Sequence, residues 1–213
     1  MNPGGMEDRW LAWAKRLHAI ASTGLHYAQG PFDRERYAEA AEIASAMLAA
    51  LADVPPCRIL ELVPDFARSY ATPLVEVRAA IVEHGTRILL VREASDGLWT
   101  LPGGFADVGR SAREKVVKEV FEEASIRVDA RMLYAVRYKA RHRYDADLRD
   151  FYKLFFLCER LDDAVPRPGA ETTDAAFFAE DAIPPLSTGR TLPEDVAAAF
   201  ARVRDPSRPP DVD

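Results

Sequence analysis

Pro102-Gly103-Gly104, followed shortly by the helix-starting pair Ser111 and Glu114, constrains this chain more than any other stretch. Trp99-Thr100-Leu101 has the aromatic and β-branched character of a strand end. Pro102 then stops regular pairing because it carries no backbone donor. Two glycines permit a sharp change of direction and let other groups approach the backbone closely. Ser111 and Glu114 form a capping box, in which each side chain takes one N–H that the first helical turn leaves unpaired. A helix is therefore expected from about Ala112. Ala112, Val116, Val120 and Ala124, widened by Val117, give it a buried stripe.

The same helix carries Glu119, Glu122 and Glu123 at i, i+3 and i+4, which are neighbouring positions on a helix surface. At roughly 100° per residue they share one arc beside the apolar stripe. Two readings follow. The arc can gather Mg²⁺ or Mn²⁺ against a pyrophosphate, since hard cations take carboxylate oxygens together with substrate phosphates. Alternatively it is a solvated face on which Lys115 pairs with Glu119 and Lys118 with Glu122. The glycine turn and cap upstream favour the first.

The segment resembles the signature of the Nudix hydrolases: Gly, five residues, Glu, seven residues, then Arg-Glu-hydrophobe-x-Glu-Glu-x-Gly-hydrophobe. Gly104, Glu119, Val120, Glu122, Glu123 and Ile126 match in register. Arg110 stands where the first glutamate is expected, Lys118 replaces the arginine, and Ser125 replaces the second glycine. Lys118 keeps the charge but loses the planar fork. Ser125 strains a turn that glycine suits better. Arg110 removes a carboxylate and adds a cation, which weakens metal binding or contacts a substrate phosphate in a bidentate manner.

Residues 10–52, including Trp10-Leu11-Ala12-Trp13, Gly24-Leu25-His26-Tyr27 and Pro31-Phe32-Asp33-Arg34, resemble the helical extension of one Nudix subgroup. That subgroup is usually described as ADP-ribose or CDP-choline pyrophosphatases. The resemblance implies an α/β/α sandwich with a mixed sheet, preceded by a small all-helical domain. It also implies a metal-dependent pyrophosphohydrolase that cleaves a nucleoside diphosphate linked to a group X into a nucleoside monophosphate and phosphorylated X. By the same analogy the metal ligands are Glu119, Glu122, Glu123 and the Gly103 carbonyl. Glu171 is a later carboxylate of the kind that many Nudix proteins use as ligand or base, and Asp174 is its neighbour in that role. An alternative, motivated by Arg110 and Lys118, is a catalytically impaired Nudix fold that binds nucleotides.

Substrate contacts are assigned to Gly104, Arg92, Arg110 and Arg141. Arg92 ends a strand ahead of the glycine turn, and its plain reading is a surface ion-pair partner. Arg141 lies in the densest basic run, Arg137 to Arg143, whose plain reading is a solvated loop. Arg190 either reaches a phosphate or sits in an ordinary turn.

Net charge is −6, which argues against a nucleic-acid surface, since such binding needs clustered Lys and Arg. Cys57 and Cys158 have no metal-site spacing and read as free core thiols of a reducing compartment. No secretion signal and no long uncharged apolar run appears, so a cytoplasmic protein without membrane association is expected. A homodimer through the helices at the N-terminus is the expected assembly.

Along the chain, residues 1–68 read as the helical domain, 69–204 as the hydrolase domain and 205–213 as a disordered tail. Residues 1–7 read as a loose start. Helices are expected over 8–28, over 34–52 with Asp33 as cap, and over 193–204; Arg58 to Leu62 adds a short turn. Pro64 through Pro73 marks the boundary. Strands are expected at 74–82, 87–92, 99–101, 127–129, 132–138, 151–158 and 174–178, with hairpin turns at His84-Gly85 and Asp96-Gly97.

Overall fold

The computed structural model describes residues 8–55, 59 and 70–213. Residues 1–7, most of the turn at Arg58–Leu62, Cys57 and most of the Pro64–Pro73 boundary lie outside the described residues.

The chain divides into two compact units. One holds everything up to Leu74 together with Ala140–His142 and Ala146–Asp150; the other holds Val75–Lys139, Arg143–Asp145 and Phe151–Asp213. In the first unit, α1 (Arg9–Tyr27) packs on α2 (Pro31–Ala52). Asp8 caps α1 by accepting from Trp10 N. The start of α2 differs from the sequence expectation. Gly30 is the cap and Pro31 the first helical residue, so Asp33 lies inside the first turn. Proline suits that position because its missing N–H would be unpaired there anyway. The two helices approach closely at Gly24, where a Cβ would meet the Tyr37 ring at 2.4 Å. Leu11, Ala14, Leu48, Ala49 and Ile59 form the core of this unit, with Leu148 packed against it. Lys15 binds into the same loop, reaching Asp150 Oδ1 at 2.6 Å. Trp10 and Trp13 meet edge-on at 5.2 Å and remain more than half exposed.

The second unit is a sheet covered on both faces. Its strands are β1 (Leu74–Glu83), β2 (Arg87–Glu93), β3 (Trp99–Thr100), β4 (Gly103–Phe105), β5 (Val128–Tyr138), β6 (Phe151–Arg160), β7 (Thr172–Ala179) and β8 (Asp211–Val212). The order is β3-β2-β1-β6-β5-β8, with β4 on β1 and β7 on β2. Successive side chains on a strand face opposite sides, and this alternation builds two cores. Val77, Ala79 and Ile81 pack with Val116, Val120 and Ala124 of α3 (Ala112–Ala124). Ala80 packs with Val196, Ala199 and Phe200 of α4 (Pro193–Arg204) on the other face. This is the α/β/α sandwich with a mixed sheet. No helix among the described residues is long and apolar enough to cross a membrane.

Two further expectations are corrected. The strands expected at 127–129 and 132–138 are one strand, β5 (Val128–Tyr138), with register shifts between Ala130 and Met132 and between Leu133 and Ala135. Bulges absorb extra residues without ending a strand. The tail is also ordered: Asp211 and Val212 pair parallel with Ala135 and Val136, and Asp213 accepts from Tyr138 N at 2.6 Å. Its composition suggested disorder, but β5 is otherwise an open edge, and such an edge offers backbone partners to any extended segment.

Candidate active site

The turn from β3 into β4 is set by glycine geometry. Gly103 has φ +151°, and a Cβ there would fall 2.0 Å from Val77 O. Only glycine lets β4 lie against β1 in the observed register, with Arg78 opposite Gly103 and Glu76 opposite Phe105. The Gly103 N–H consequently points at α3 and donates to Glu123 Oε2 at 2.9 Å. A Cβ on Gly104 would stand 3.0 Å from Glu119 Oε1. The helix start is the capping box read from the sequence, with Ser111 N donating to Glu114 Oε2 at 2.7 Å. Its end is fixed by the segment before β7. Thr172 Oγ1 donates to Glu123 O at 2.9 Å, Arg167 N donates to Ala124 O, and Gly169 lies directly against the Glu122 carbonyl. Ser125 ends the helix in the left-handed region at φ 57°.

The three glutamates of the arc have different partners. Glu119 Oε1 lies 2.5 Å from Lys115, whose ammonium also donates to Asp107 Oδ2 at 2.9 Å. That bond is the main reason the Asp107 carboxyl is held below its ordinary pKa. Glu122 pairs with the half-exposed Lys118 at 2.5 Å. Glu123 is 6% exposed, and burial pushes its carboxyl up to about 8; Arg78 and the Gly103 N–H pull the other way, while Glu119 and Glu93 add to the rise. Both lysine pairs of the solvated-face reading are thus present. Among the described residues no three His, Cys, Asp or Glu side chains converge as a metal cage.

The chemistry of the set nevertheless fits a hard cation. Glu123 is a buried acid with little compensating charge, and Lys115 and Lys118 supply positive charge to its neighbours. Such a group is stabilised either by taking a proton or by gaining a cation.

The remaining sequence candidates fall as follows. Arg92 Nε donates to Gly97 O at 2.7 Å and so braces its own hairpin. Arg110 is exposed on the loop before α3, its backbone N–H bonded to Asp107 O. Glu171 is exposed, its carbonyl accepting from Ala94 N, and Asp174 lies exposed on β7. Arg141 is exposed in the short turn Lys139–Arg141 and belongs to the helical unit. Arg190 bridges Glu93 at 3.3 Å and Asp96 at 2.9 Å.

Sequence reasoning missed Glu93, Lys115 as a bridge to Asp107, and the buried group Glu76, Arg78 and Lys153. For Glu76, Arg78, Glu93 and Lys153 the signal is a charged residue in an otherwise apolar strand; Lys115 lies on α3 and Asp107 on the loop before it.

The sandwich, with its glutamate helix behind the glycine turn, matches hydrolases that act on phosphoanhydride bonds. The chain belongs to the Nudix family: residues 72–200 match the NUDIX domain, and residues 8–63 match a UDP-X-like N-terminal oligomerisation domain. It is 36% identical to the YjhB protein of Bacillus subtilis (strain 168), to which ADP-ribose pyrophosphatase activity is provisionally attributed. That match covers 95% of this chain and 96% of the relative. A UDP-X diphosphatase structure superposes with TM-score 0.61 at 34% identity, over 96% of this chain and 98% of the other. An ADP-ribose pyrophosphatase from Streptococcus suis 89-1591 superposes with TM-score 0.58 at 35% identity, over 67% and 100%.

Proposed function

We propose that this Nudix hydrolase cleaves the pyrophosphate of a nucleoside diphosphate linked to a second group X, of the ADP-ribose, CDP-choline or UDP-X type, in the cytoplasm. The observation that carries the reading is the buried Glu123 carboxylate bonded to the Gly103 N–H at the head of β4. Nudix hydrolases generally use a divalent metal, and here Glu119, Glu122, Glu123 and the Gly103 carbonyl would hold Mg²⁺ or Mn²⁺. When bound, the ion neutralises phosphate charge and acidifies water.

The residues of the chain supply the rest. Glu119 or Glu171 takes the proton of the attacking water. The water oxygen bonds to one phosphorus, the bridging P–O bond breaks, and the leaving phosphate departs with the electron pair. Gly104 keeps the strand flush so that phosphate can approach the backbone. Arg110 and Arg92 are the cations of this unit that answer substrate charge. The exposed apolar side chains of the helical unit, among them Trp10, Trp13, Ile20 and Ile43, support its use as a dimer interface.

The pairing of Glu119 and Glu122 with lysines favours one rival, a fold that binds nucleotides without turnover. A panel of ADP-ribose, CDP-choline, a UDP-linked sugar, NADH and dNTPs, assayed with Mg²⁺ or Mn²⁺ for monophosphate release, separates the two. Turnover of at least one diphosphate-linked compound is expected. Tight nucleotide binding with no turnover of any of them would establish the rival.

A further inference from the structure

Beneath the glycine turn lies a charged group that the hydrolytic scheme does not use. Arg78 is 4% exposed and Lys153 fully buried, with Glu76 between them. Arg78 Nε donates to Glu76 Oε1 at 2.5 Å, and Lys153 Nζ donates to Glu76 Oε2 at 2.7 Å. The other arm of the Arg78 fork leaves this group. Its Nη1 donates to Leu101 O at 2.9 Å and to Thr100 Oγ1 at 3.3 Å. Thr191 completes the hold, accepting from Leu101 N at 3.1 Å and sharing a hydrogen bond with Thr100 Oγ1 at 2.8 Å. Ala79 N donates to Pro102 O at 2.8 Å. The segment entering the turn is thus fixed on side-chain and backbone atoms alike, one residue pair before the Gly103 N–H meets Glu123.

The energetics suggest why such a group is present. Two cations and one carboxylate away from water are costly, and apolar residues of similar volume commonly stabilise a fold as well or better. A guanidinium differs from an apolar filler in joining fixed points in a plane, here Glu76 and the Leu101 carbonyl. We propose that Arg78, braced by Glu76 and Lys153, is a positioning residue of the active site, setting the Thr100–Leu101 approach so that the Gly103 N–H is aimed at Glu123. Its kinetic consequence rests on the hydrolase reading; its structural consequence does not.

The test is amide hydrogen exchange by NMR on the metal-free protein, alongside steady-state kinetics. In Arg78→Met, exchange of the Gly103 amide accelerates about tenfold or more, while amides of the β5–β6 ladder keep their rates, the mark of local rather than global opening. For the substrate that the wild type turns over best, kcat falls on the order of 100-fold with little change in KM, as expected for a misplaced catalytic group. Should Arg78→Met fail to fold because it strands Glu76 with Lys153, the apolar triple variant Glu76→Leu, Arg78→Met, Lys153→Leu takes its place. It is expected to fold with the same fast Gly103 exchange and the same loss of kcat. Uniform acceleration of every amide, an unchanged Gly103 amide, or wild-type kcat in a folded variant would each overturn the proposal. A wild-type protein that turns over nothing would sink the hydrolase reading, while the exchange comparison would still decide the role of Arg78.

Discussion

Glu123 and Asp195 are both buried acids, and burial raises the pKa of both. Their surroundings differ. Asp195, in the first turn of α4, accepts from Leu192 N at 2.8 Å and Tyr144 Oη at 2.7 Å on one oxygen, and its other oxygen lies 2.9 Å from Arg137 Nε. Glu123 accepts from Gly103 N, while Arg78, the cation that acts on its charge, is occupied with Glu76 and Leu101. A buried carboxylate enclosed by donors holds a fold together. One left with spare acceptor capacity beside a glycine turn is available for a ligand. Burial and a raised pKa are shared by the two and do not identify the site. The supply of donors does.

Exchanging each acid for its amide tests this contrast most strongly. Glu123→Gln is expected to lower kcat/KM by on the order of 100-fold or more, as loss of one precisely placed electrostatic group does. Its melting temperature should hold or rise, since the amide is neutral at every pH and burial already disfavours the charged form of this acid. A monophosphate-release assay and a thermal melt on the same preparation read both. Activity near the wild-type level in Glu123→Gln would show that the spare capacity of this acid has no catalytic use.

Asp195→Asn should do the reverse. It leaves Arg137 facing a neutral group in a buried setting, and breaking such pairs costs about 3–5 kcal/mol. At 25 °C, below the lowered melting temperature, kcat should stay within about threefold, the margin of context dependence for a residue remote from the chemistry. Calorimetry and the same release assay check it. A large loss of kcat without loss of stability would mean that α4 takes part in the reaction.

Gly104→Ala gives a smaller effect and tests the open side of the site. The added Cβ would meet the Glu119 carboxylate at 3.0 Å, against the movable end of a side chain, so the cost in stability is about 1 kcal/mol or less. Displacing Glu119 from its place beside Lys115 should lower kcat roughly tenfold, in line with the sensitivity of catalysis to small misplacement. Unchanged kinetics would place Glu119 outside the working set.

These contrasts were unevenly legible in the sequence. The capping box at Ser111 and Glu114, the hairpin at His84-Gly85 and the apolar stripe of α3 depend on residues a few positions apart, so local rules find them. The arc of glutamates and its two lysine partners were legible for the same reason. Arg78, Glu76 and Lys153 come from two strands and meet a turn from a third segment, and Asp195 meets Tyr144 and Arg137 only after the sheet has formed. No spacing encodes such meetings. The prolines and aspartates of the tail describe the free chain, whereas the edge of β5 decides its fate.

The smallest expected effect concerns the one departure from the Nudix signature whose consequence is purely local. Ser125 closes α3 with φ 57°, a region in which a residue with a Cβ is strained and glycine is not. Its N–H donates to Phe121 O at 3.0 Å, a bond that glycine would keep. Ser125→Gly therefore relieves strain in the folded state but gives the unfolded chain more freedom, and the two partly offset. The net gain should be about 0.5 kcal/mol, visible as a rise of a degree or two in melting temperature. Because Thr172, Arg167 and Gly169 already fix the end of the helix through backbone contacts, Glu122 and Glu123 should not move, and kcat should be unchanged. A change in kcat would show that the helix end is less firmly held than those contacts imply, and that the strain at Ser125 reaches the site.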